Sequence, residues 1–256
     1  IGEVSLIGFV SLMLSIIAGQ YVQEHPVWGE FFTLTGEQLT WLLIGYGFIA
    51  SVLPVWLLLA PRDYLSTFLK IGTIVGLAIG VVIVSPELKM PALTQFIDGS
   101  GPVWSGDLFP FLFVTIACGA ISGFHSLIAS GTTPKMIQNE TDARFIGYGA
   151  MLMESFVAIM ALVAAAALEP GIYFAMNSPG AIIGTTAESA AQTISQWGFY
   201  VTPEMINQTA QNVGEHSIIS RTGGAPTLAV GMAQILSEVI GGTAMMAFWY
   251  HFAILV

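Results

Sequence analysis

Long apolar runs without charged side chains limit the fold of this chain more than any other feature. A helix needs about 20 apolar residues to cross a bilayer, and five stretches before residue 170 are long enough. Nearer the carboxyl end, Gly241-Gly242 divides another apolar stretch, because adjacent glycines favour a break. The predicted spans are 4–23, 38–61, 66–86, 108–134 and 145–168, followed by a half-helix over 226–240 and the start of a further span over 243–256.

The composition excludes several classes of protein. Charged residues make up 9% of the 256 residues, against about 25% in a soluble domain, which excludes an ordinary soluble enzyme. Six Lys and Arg residues against sixteen acids exclude binding to a nucleic-acid backbone. Cys118 is the one cysteine, so an internal disulfide and a cysteine metal cluster are excluded. We predict an all-α, polytopic transmembrane helix bundle that forms a single domain.

The sequence is expected to be the middle of a longer membrane protein. It begins without Met, has no basic-then-apolar signal segment, and ends inside an apolar run. Lys and Arg concentrate in the 62–70 and 135–144 connections, which the positive-inside rule assigns to the cytoplasm. Residues 169–225 are therefore expected to lie on the extracytoplasmic side.

This extracytoplasmic segment carries helix signals of its own. Thr202-Pro203-Glu204 combines an N-cap, a first-turn proline and a first-turn acid, and Gly214 marks the end of the helix. The Ala and Gln residues of 185–197 predict a second short helix. A loosely ordered loop is the alternative, since long loops often lack structure.

Glycine and hydroxyl residues concentrate at 118–134, inside the fourth predicted span. Small residues allow membrane helices to pack closely, which accounts for part of the pattern. The other interpretation is a discontinuous helix, broken near 130–133, whose freed backbone groups bind substrate or an ion near the middle of the bilayer. The neighbouring His125 favours this second interpretation. The predicted substrate-binding residues of this run are Ser126, Ser130, Thr132 and Thr133.

A second cluster, at 214–226, places an acid, a His and an Arg before Gly223-Gly224-Ala225-Pro226. A proline in the first turn of a helix leaves free backbone amides beside it, a setting that suits an anion. Arg221 adds a planar, always charged donor for a carboxylate. An interfacial Arg on lipid phosphate is the alternative. The predicted substrate-binding residues here are Ser220, Arg221, Thr222 and Gly223.

Ionisable residues inside predicted spans indicate a proton pathway. Glu154 lies among apolar residues, where a charge costs at least about 2.5–3.5 kcal/mol. His125 precedes Lys135 by ten residues and Glu154 follows Arg144 by ten, so both lie about 15 Å deep if those two cations mark one surface. We predict proton coupling by His125, Glu154 and His216, with a neutral, structurally hydrogen-bonded Glu154 as the alternative. No metal-ligand spacing or cofactor motif is found, so we predict no cofactor.

Several longer runs resemble the carbon starvation protein A (CstA) family. They are residues 60–70, 123–135, 217–226 and 248–252. The resemblance implies a bacterial inner-membrane secondary transporter, with peptide uptake in carbon starvation and proton-coupled pyruvate uptake in related members. It also implies a distant similarity to broken-helix transporters built from inverted repeats. The family's His- and Gly-rich motif upstream and its further spans downstream are not in this sequence.

Three functions are compatible with these features. The leading hypothesis is proton-driven import of short peptides or small carboxylates such as pyruvate, with substrate, protons and membrane lipid as partners. A passive channel predicts rings of polar residues along a continuous pore, whereas the polar groups here gather at helix breaks. An intramembrane enzyme needs a nucleophile within reach of a base, and adjacent helix positions such as His125 and Ser126 point in different directions. The choices between peptide and pyruvate, and between proton and sodium, stay open.

Overall fold

The computed structural model describes residues 2–54, 56–116 and 133–255. Every regular element in these ranges is helical, which confirms the all-α prediction. Short 3-10 turns lie at Phe96–Asp98, Thr133–Lys135 and Gly242–Met245, and a π-helical turn lies at Leu108–Leu112. The α-helices are α1 (Gly2–Glu24), α2 (Pro26–Phe32), α3 (Gly36–Val52), α4 (Leu59–Val84), α5 (Asp142–Ala166), α6 (Pro170–Asn177), α7 (Gly180–Ile183), α8 (Ala187–Gln196), α9 (Pro203–Val213), α10 (Ala225–Val239) and α11 (Met246–Leu255).

Three of the described helices are long and apolar enough to cross a membrane. They cover Gly2–Gln23, Ala60–Val84 and Asp142–Ala166, and they correspond to the predicted spans 4–23, 66–86 and 145–168. The fourth predicted span, 108–134, begins with the turn at Leu108–Leu112. Residues 117–132 of that span lie outside the described residues, so the predicted helix break near 130–133 stays a prediction there. Thr133 itself begins a 3-10 turn.

The carboxyl end predicted for the second span, 38–61, is wrong. Helix α3 ends at Val52, and Leu53 is extended with φ −71° and ψ 147°. Pro54 explains this, because the ring of a proline disfavours helical backbone at the residue before it. The predicted connection over 62–70 is also wrong. Helix α4 begins at Leu59, so residues 62–70 are helical. Pro61 is tolerated there because it lies in the first turn, where no N–H partner is lost.

The described chain divides into two compact units, of which the first comprises Ile1–Gly76 and His251–Val256. Within it α1 packs against α4, where a β-carbon on Gly8 would lie 2.8 Å from Leu65 Cδ2. Thr35 and Gln38 form a capping box at the start of α3, which satisfies amides left free at a helix start. Most large apolar side chains of this unit are exposed, as expected of surfaces that contact lipid or further protein.

The second unit, Leu77–Tyr250, holds most of the buried core. The predicted extracytoplasmic segment is therefore a packed set of short helices, and the loose-loop alternative is wrong. Helix α9 has the predicted ends, since Thr202 Oγ1 accepts the Met205 N–H and Gly214 adopts a left-handed φ of 74°. Helix α10 matches the predicted half-helix, and the left-handed Gly241 and Gly242 separate it from α11.

The carboxyl ends of α4 and α5 are joined by the chain that follows α4. The backbone N–H groups of Lys89 and Met90 donate to Ala166 O at 2.8 and 3.2 Å. Lys89 Nζ also forms an ion pair with Glu169 Oε1 at 2.7 Å. These contacts satisfy a carbonyl at the end of α5 that would otherwise lack an intrahelical partner.

Candidate functional site

The loop between α9 and α10 carries four of the predicted substrate-binding residues, and its backbone is fixed to α6 and α7. Ser220 N–H donates to Ala175 O at 2.9 Å, and Ser220 Oγ accepts the Gly180 N–H at 2.9 Å. Ser220 has a left-handed φ of 56°, a conformation that costs a non-glycine residue of order 1 kcal/mol. Thr222 and Gly223 are exposed beside it. The loop is thus rigidly anchored at Ser220 and open at its tip.

Arg221 is held in place along one edge of its guanidinium group. Its Nη2 donates to Glu215 Oε2 at 2.9 Å and its Nε donates to Ser217 O at 3.3 Å. Its side chain is 45% exposed, whereas that of Glu215 is 23% exposed. The guanidinium therefore presents its remaining donors to the outside while the carboxylate lies on the protein side. Arg221 thus contacts protein along one edge, and its role in substrate binding stays a prediction.

A buried tyrosine supports this ion pair from a different helix. Tyr250, in α11, is 2% exposed, and its hydroxyl is hydrogen-bonded to the Glu215 carboxylate. The sequence pattern did not identify Glu215 or Tyr250 as site residues. Their only signal is an acid six residues before Arg221, and Tyr250 lies too far along the chain to be linked to it without the fold.

The start of α10 is anchored by a buried polar pair. Asn177 Nδ2 donates to Thr227 Oγ1 at 2.7 Å and to Tyr173 O at 2.9 Å. Ser178 Oγ, next in the chain, is buried and has no hydrogen-bond partner among the described residues. Pro226 lies in the first turn of α10, as predicted. The free amides of this turn thus lie beside a polar group of side chains, which the sequence pattern alone did not indicate.

A cavity of about 640 Å³ lies between α9 and α10 in the second unit, with a mainly apolar lining that also carries several polar side chains. Three carboxylates line it, those of Glu169, Glu204 and Glu238, together with the amides of Gln208, Asn212 and Gln234. Lys89 neutralises Glu169 by the ion pair described above. Met246 lines the same cavity. Met246 and Tyr250 are four residues apart and therefore lie on one face of α11. That face contacts the cavity through Met246 and the Arg221–Glu215 pair through Tyr250.

Comparison with known proteins identifies the family of this chain. The family model described as Carbon starvation protein CstA matches residues 1–256. The chain belongs to the CstA family. It is 68% identical over 246 residues to the Peptide transporter CstA of Escherichia coli K12, which covers 94% of this chain and 35% of that protein.

Two further relatives match the whole chain. The Pyruvate/proton symporter BtsT of Escherichia coli K12 is 58% identical over 277 residues, covering 100% of this chain and 38% of that protein. The Peptide transporter CstA of Campylobacter jejuni is 61% identical over 256 residues, covering 100% of this chain and 36% of that protein. The chain thus spans a little over a third of the length of these curated relatives. No solved structure matches.

The fold brings together only some of the residues predicted for the site. Ser220, Arg221, Thr222 and Gly223 share one loop, and Thr133 lies apart from it in the 3-10 turn Thr133–Lys135. His216 is exposed beside Glu215, and Glu154 is half-buried in α5. His125, Ser126, Ser130 and Thr132 lie outside the described residues, so the predicted pairing of His125 with Glu154 stays a prediction.

The described residues do not offer a metal centre. Within residues 2–54, 56–116 and 133–255, no three His, Cys, Asp or Glu side chains are grouped so that they could hold a metal ion. The Arg221 loop offers an arginine, a carboxylate and hydroxyl groups. Such groups can bind a small anion and can exchange a proton.

Proposed function

We propose that the full-length protein is a secondary active transporter that imports short peptides or small carboxylates such as pyruvate across the bacterial inner membrane, coupled to protons. The observation that carries this proposal is the half-exposed guanidinium of Arg221, fixed by Glu215 and Ser217. The names of the relatives support it, because they include peptide transporters and a pyruvate/proton symporter. The three candidate spans support a multi-pass protein.

Peptides and pyruvate share a carboxylate, and Arg221 is suited to receive it. A guanidinium has five N–H donors in a planar fork that matches a carboxylate in two parallel bonds. Arg221 uses Nε and Nη2 for its own anchoring, and its Nη1 makes no hydrogen bond to any residue that the structure describes. A substrate carboxylate would use Nη1 together with Nη2. Ser220 and the exposed Thr222 and Gly223 line the approach.

The acidic cavity favours peptides as one class of substrate. Glu204 and Glu238 can attract the ammonium group of a peptide, and the amides of Gln208 and Gln234 can bind its backbone. Pyruvate lacks a cationic group and requires only the arginine. Both substrates are therefore compatible with this site, and their dependence on the cavity should differ.

Proton coupling is proposed for the ionisable residues at or near the predicted spans. Glu154 lies in the middle of α5, where burial of a charge is costly unless it is protonated or paired. His125 is its proposed partner at the same depth, and His216 is the third proposed proton carrier. The proposed substrate residues Ser126, Ser130, Thr132 and Thr133 belong to the span in which His125 lies.

The test uses the full-length protein in proteoliposomes. Uptake of labelled pyruvate and of a labelled dipeptide is measured with and without an imposed proton gradient, and counterflow is measured without one. We expect counterflow of at least one substrate, and accumulation only with the gradient. Liposomes without protein are the control. Equilibration without counterflow would identify a passive channel, and accumulation that follows a sodium gradient instead would contradict the proton coupling.

A further inference from the structure

We propose that Glu215 links proton binding to substrate binding by competing with the substrate carboxylate for Arg221. This inference rests on the proposed function and assigns a role to a residue that the sequence pattern did not single out. Glu215 is a positioning residue in this scheme, because it acts on the substrate only through the guanidinium. The proposal follows from how the pair is built, which residues face Glu215, and where Arg221 is exposed.

The ion pair is built so that the carboxylate can be exchanged. Glu215 contacts Arg221 through a single pair of atoms, Oε2 and Nη2, at 2.9 Å. A carboxylate that uses two parallel bonds is held more strongly than one that uses a single bond. Ser217 O holds Nε independently, so the guanidinium stays in position when Glu215 releases it. An incoming carboxylate thus finds a prepositioned donor.

The groups that face Glu215 fit both of its protonation states. Arg221 faces it from the same loop and Tyr250 from α11, while the exposed His216 is its neighbour in the chain. As a carboxylate, Glu215 accepts from Arg221 and from the Tyr250 hydroxyl. As a carboxylic acid, it can donate its proton to the Tyr250 oxygen, because a phenol both donates and accepts. Neither state leaves the half-buried Glu215 without a partner.

Charge then couples the two ligands. A proton that binds Glu215 removes the negative charge that compensates Arg221, and the substrate carboxylate replaces that charge. One proton and one carboxylate therefore enter the site together without changing its net charge. When the proton leaves, Glu215 regains its charge and displaces the substrate from Arg221. The exchange breaks no covalent bond except the O–H bond of Glu215.

The test measures the concentration of pyruvate that half-saturates counterflow, in the full-length protein, at several pH values from acidic to neutral. We expect the wild-type protein to bind pyruvate more tightly as the pH falls, by up to about tenfold per pH unit for one linked proton. Glu215→Gln carries a permanently neutral side chain of the same shape. We expect this variant to bind pyruvate at neutral pH as tightly as the wild type does at acidic pH, without the pH dependence.

The matched control is Glu188→Gln, which removes an exposed acid from the first turn of α8 and should keep the wild-type pH dependence. Tyr250→Phe removes the second partner of Glu215 and leaves the ion pair, so we expect it to weaken the pH dependence. A wild-type pH dependence in Glu215→Gln, or loss of its counterflow at every pH, would overturn the proposal. If Glu215→Gln does not reach the membrane, an unchanged pH dependence in Tyr250→Phe overturns it instead.

These outcomes separate this inference from the proposed function. If the wild-type protein shows no counterflow of pyruvate or of a dipeptide, the proposed function itself fails. If it shows counterflow whose half-saturating concentration does not change with pH, transport stands and only the role of Glu215 fails.

Discussion

Asn177 and Thr227 join the end of α6 to the first turn of α10 through a hydrogen bond of 2.7 Å. Asn177 is 7% exposed and Thr227 is 2% exposed, so water cannot replace either partner. Asn177 also holds Tyr173 O, and Ser220 in the Arg221 loop holds the neighbouring Ala175 O. Helix α6 therefore connects the start of α10 to the loop that carries the proposed substrate arginine.

Thr227→Val should destabilise the second unit, because valine has the shape of threonine but cannot accept the Asn177 amide proton. We expect a cost of about 1–3 kcal/mol, the penalty for a buried polar group that loses its partner. The measurement is thermal unfolding of the full-length protein in detergent. Thr185→Val, at an exposed position, is the control and should change little. Equal stability of the two variants would show that the bond does not anchor α10.

Gly231→Ala should destabilise the contact between α10 and α5. A β-carbon on Gly231 would overlap the Ala164 carbonyl oxygen and lie 2.7 Å from its carbonyl carbon. Overpacking of this kind costs about 1–3 kcal/mol, which exceeds the about 0.5–1 kcal/mol that alanine gains over glycine within a helix. Gly180→Ala is the control, because its β-carbon would make only ordinary contacts at 3.6 Å or more. An increase in unfolding temperature for Gly231→Ala would contradict this packing.

Glu204→Gln should lower stability at neutral pH and not at low pH. The backbone N–H of Glu204 and the Thr202 hydroxyl hydrogen-bond to this carboxylate and lower the pKa of Glu204 below its ordinary value of 4.5. A lowered folded-state pKa stabilises the fold above the ordinary pKa, and the gain disappears as the pH falls through the lowered pKa. Unfolding temperatures should therefore differ between variant and wild type at neutral pH and converge on acidification.

Glu140→Gln serves as the control for this pH series. Glu140 is exposed in the turn before α5, so its substitution should leave the unfolding temperature nearly unchanged at each pH. A difference between Glu204→Gln and the wild type that stays constant down to low pH would mean that the ionised form of Glu204 is not the stabilising one.

Arg221→Lys should impair transport although it keeps the charge. An ammonium group is a point charge that cannot hold Ser217 O and a two-bonded substrate carboxylate in one plane. We expect at least about a tenfold loss of uptake rate, which corresponds to about 1.4 kcal/mol. Lys89→Arg, which retains the ion pair with Glu169 at the end of α5, is the control. Wild-type uptake with Lys at 221 would show that this position supplies only charge.

Glu154→Gln separates coupling from structure. If Glu154 carries the driving proton, the variant should lose accumulation under a proton gradient and retain counterflow, because exchange needs no net proton movement. Both activities are measured in proteoliposomes of the full-length protein. Glu188→Gln, at an exposed acid of α8 outside the proposed site, is the control and should retain both activities. Retention of both activities at wild-type levels would assign Glu154 a purely structural role.

Local signals in the sequence predicted the features that depend on local chemistry. The N-cap at Thr202 and the left-handed end at Gly214 follow from the residues themselves. The end of α3 was missed although Pro54 provides the signal, because the apolar run continues past it. Helix α6 was missed for a different reason. It is a short apolar helix, six of whose residues are buried, and such a segment cannot be recognised from periodicity alone.

The candidate site was predicted only in part, because its partners come together through the tertiary fold. Arg221 was identified from its residue type and from the glycines that follow it. Tyr250 and Glu215 meet only because α11 packs back against the loop before α10. Likewise, nothing near Thr227 in the sequence indicates Asn177, which lies fifty residues away. Long-range pairs of this kind require the structure.

The junction between Lys89, Met90 and Ala166 constrains the path of the whole chain. It brings the carboxyl ends of α4 and α5 to one level, and Val84 and Ala167 line the same cavity of about 210 Å³ there. Two membrane helices that end at one level run in the same direction, and a chain that crosses twice in one direction must return between the two crossings. We therefore expect residues 87–107 and 169–225 to share one side of the membrane, the side that the distribution of Lys and Arg predicts to be outside.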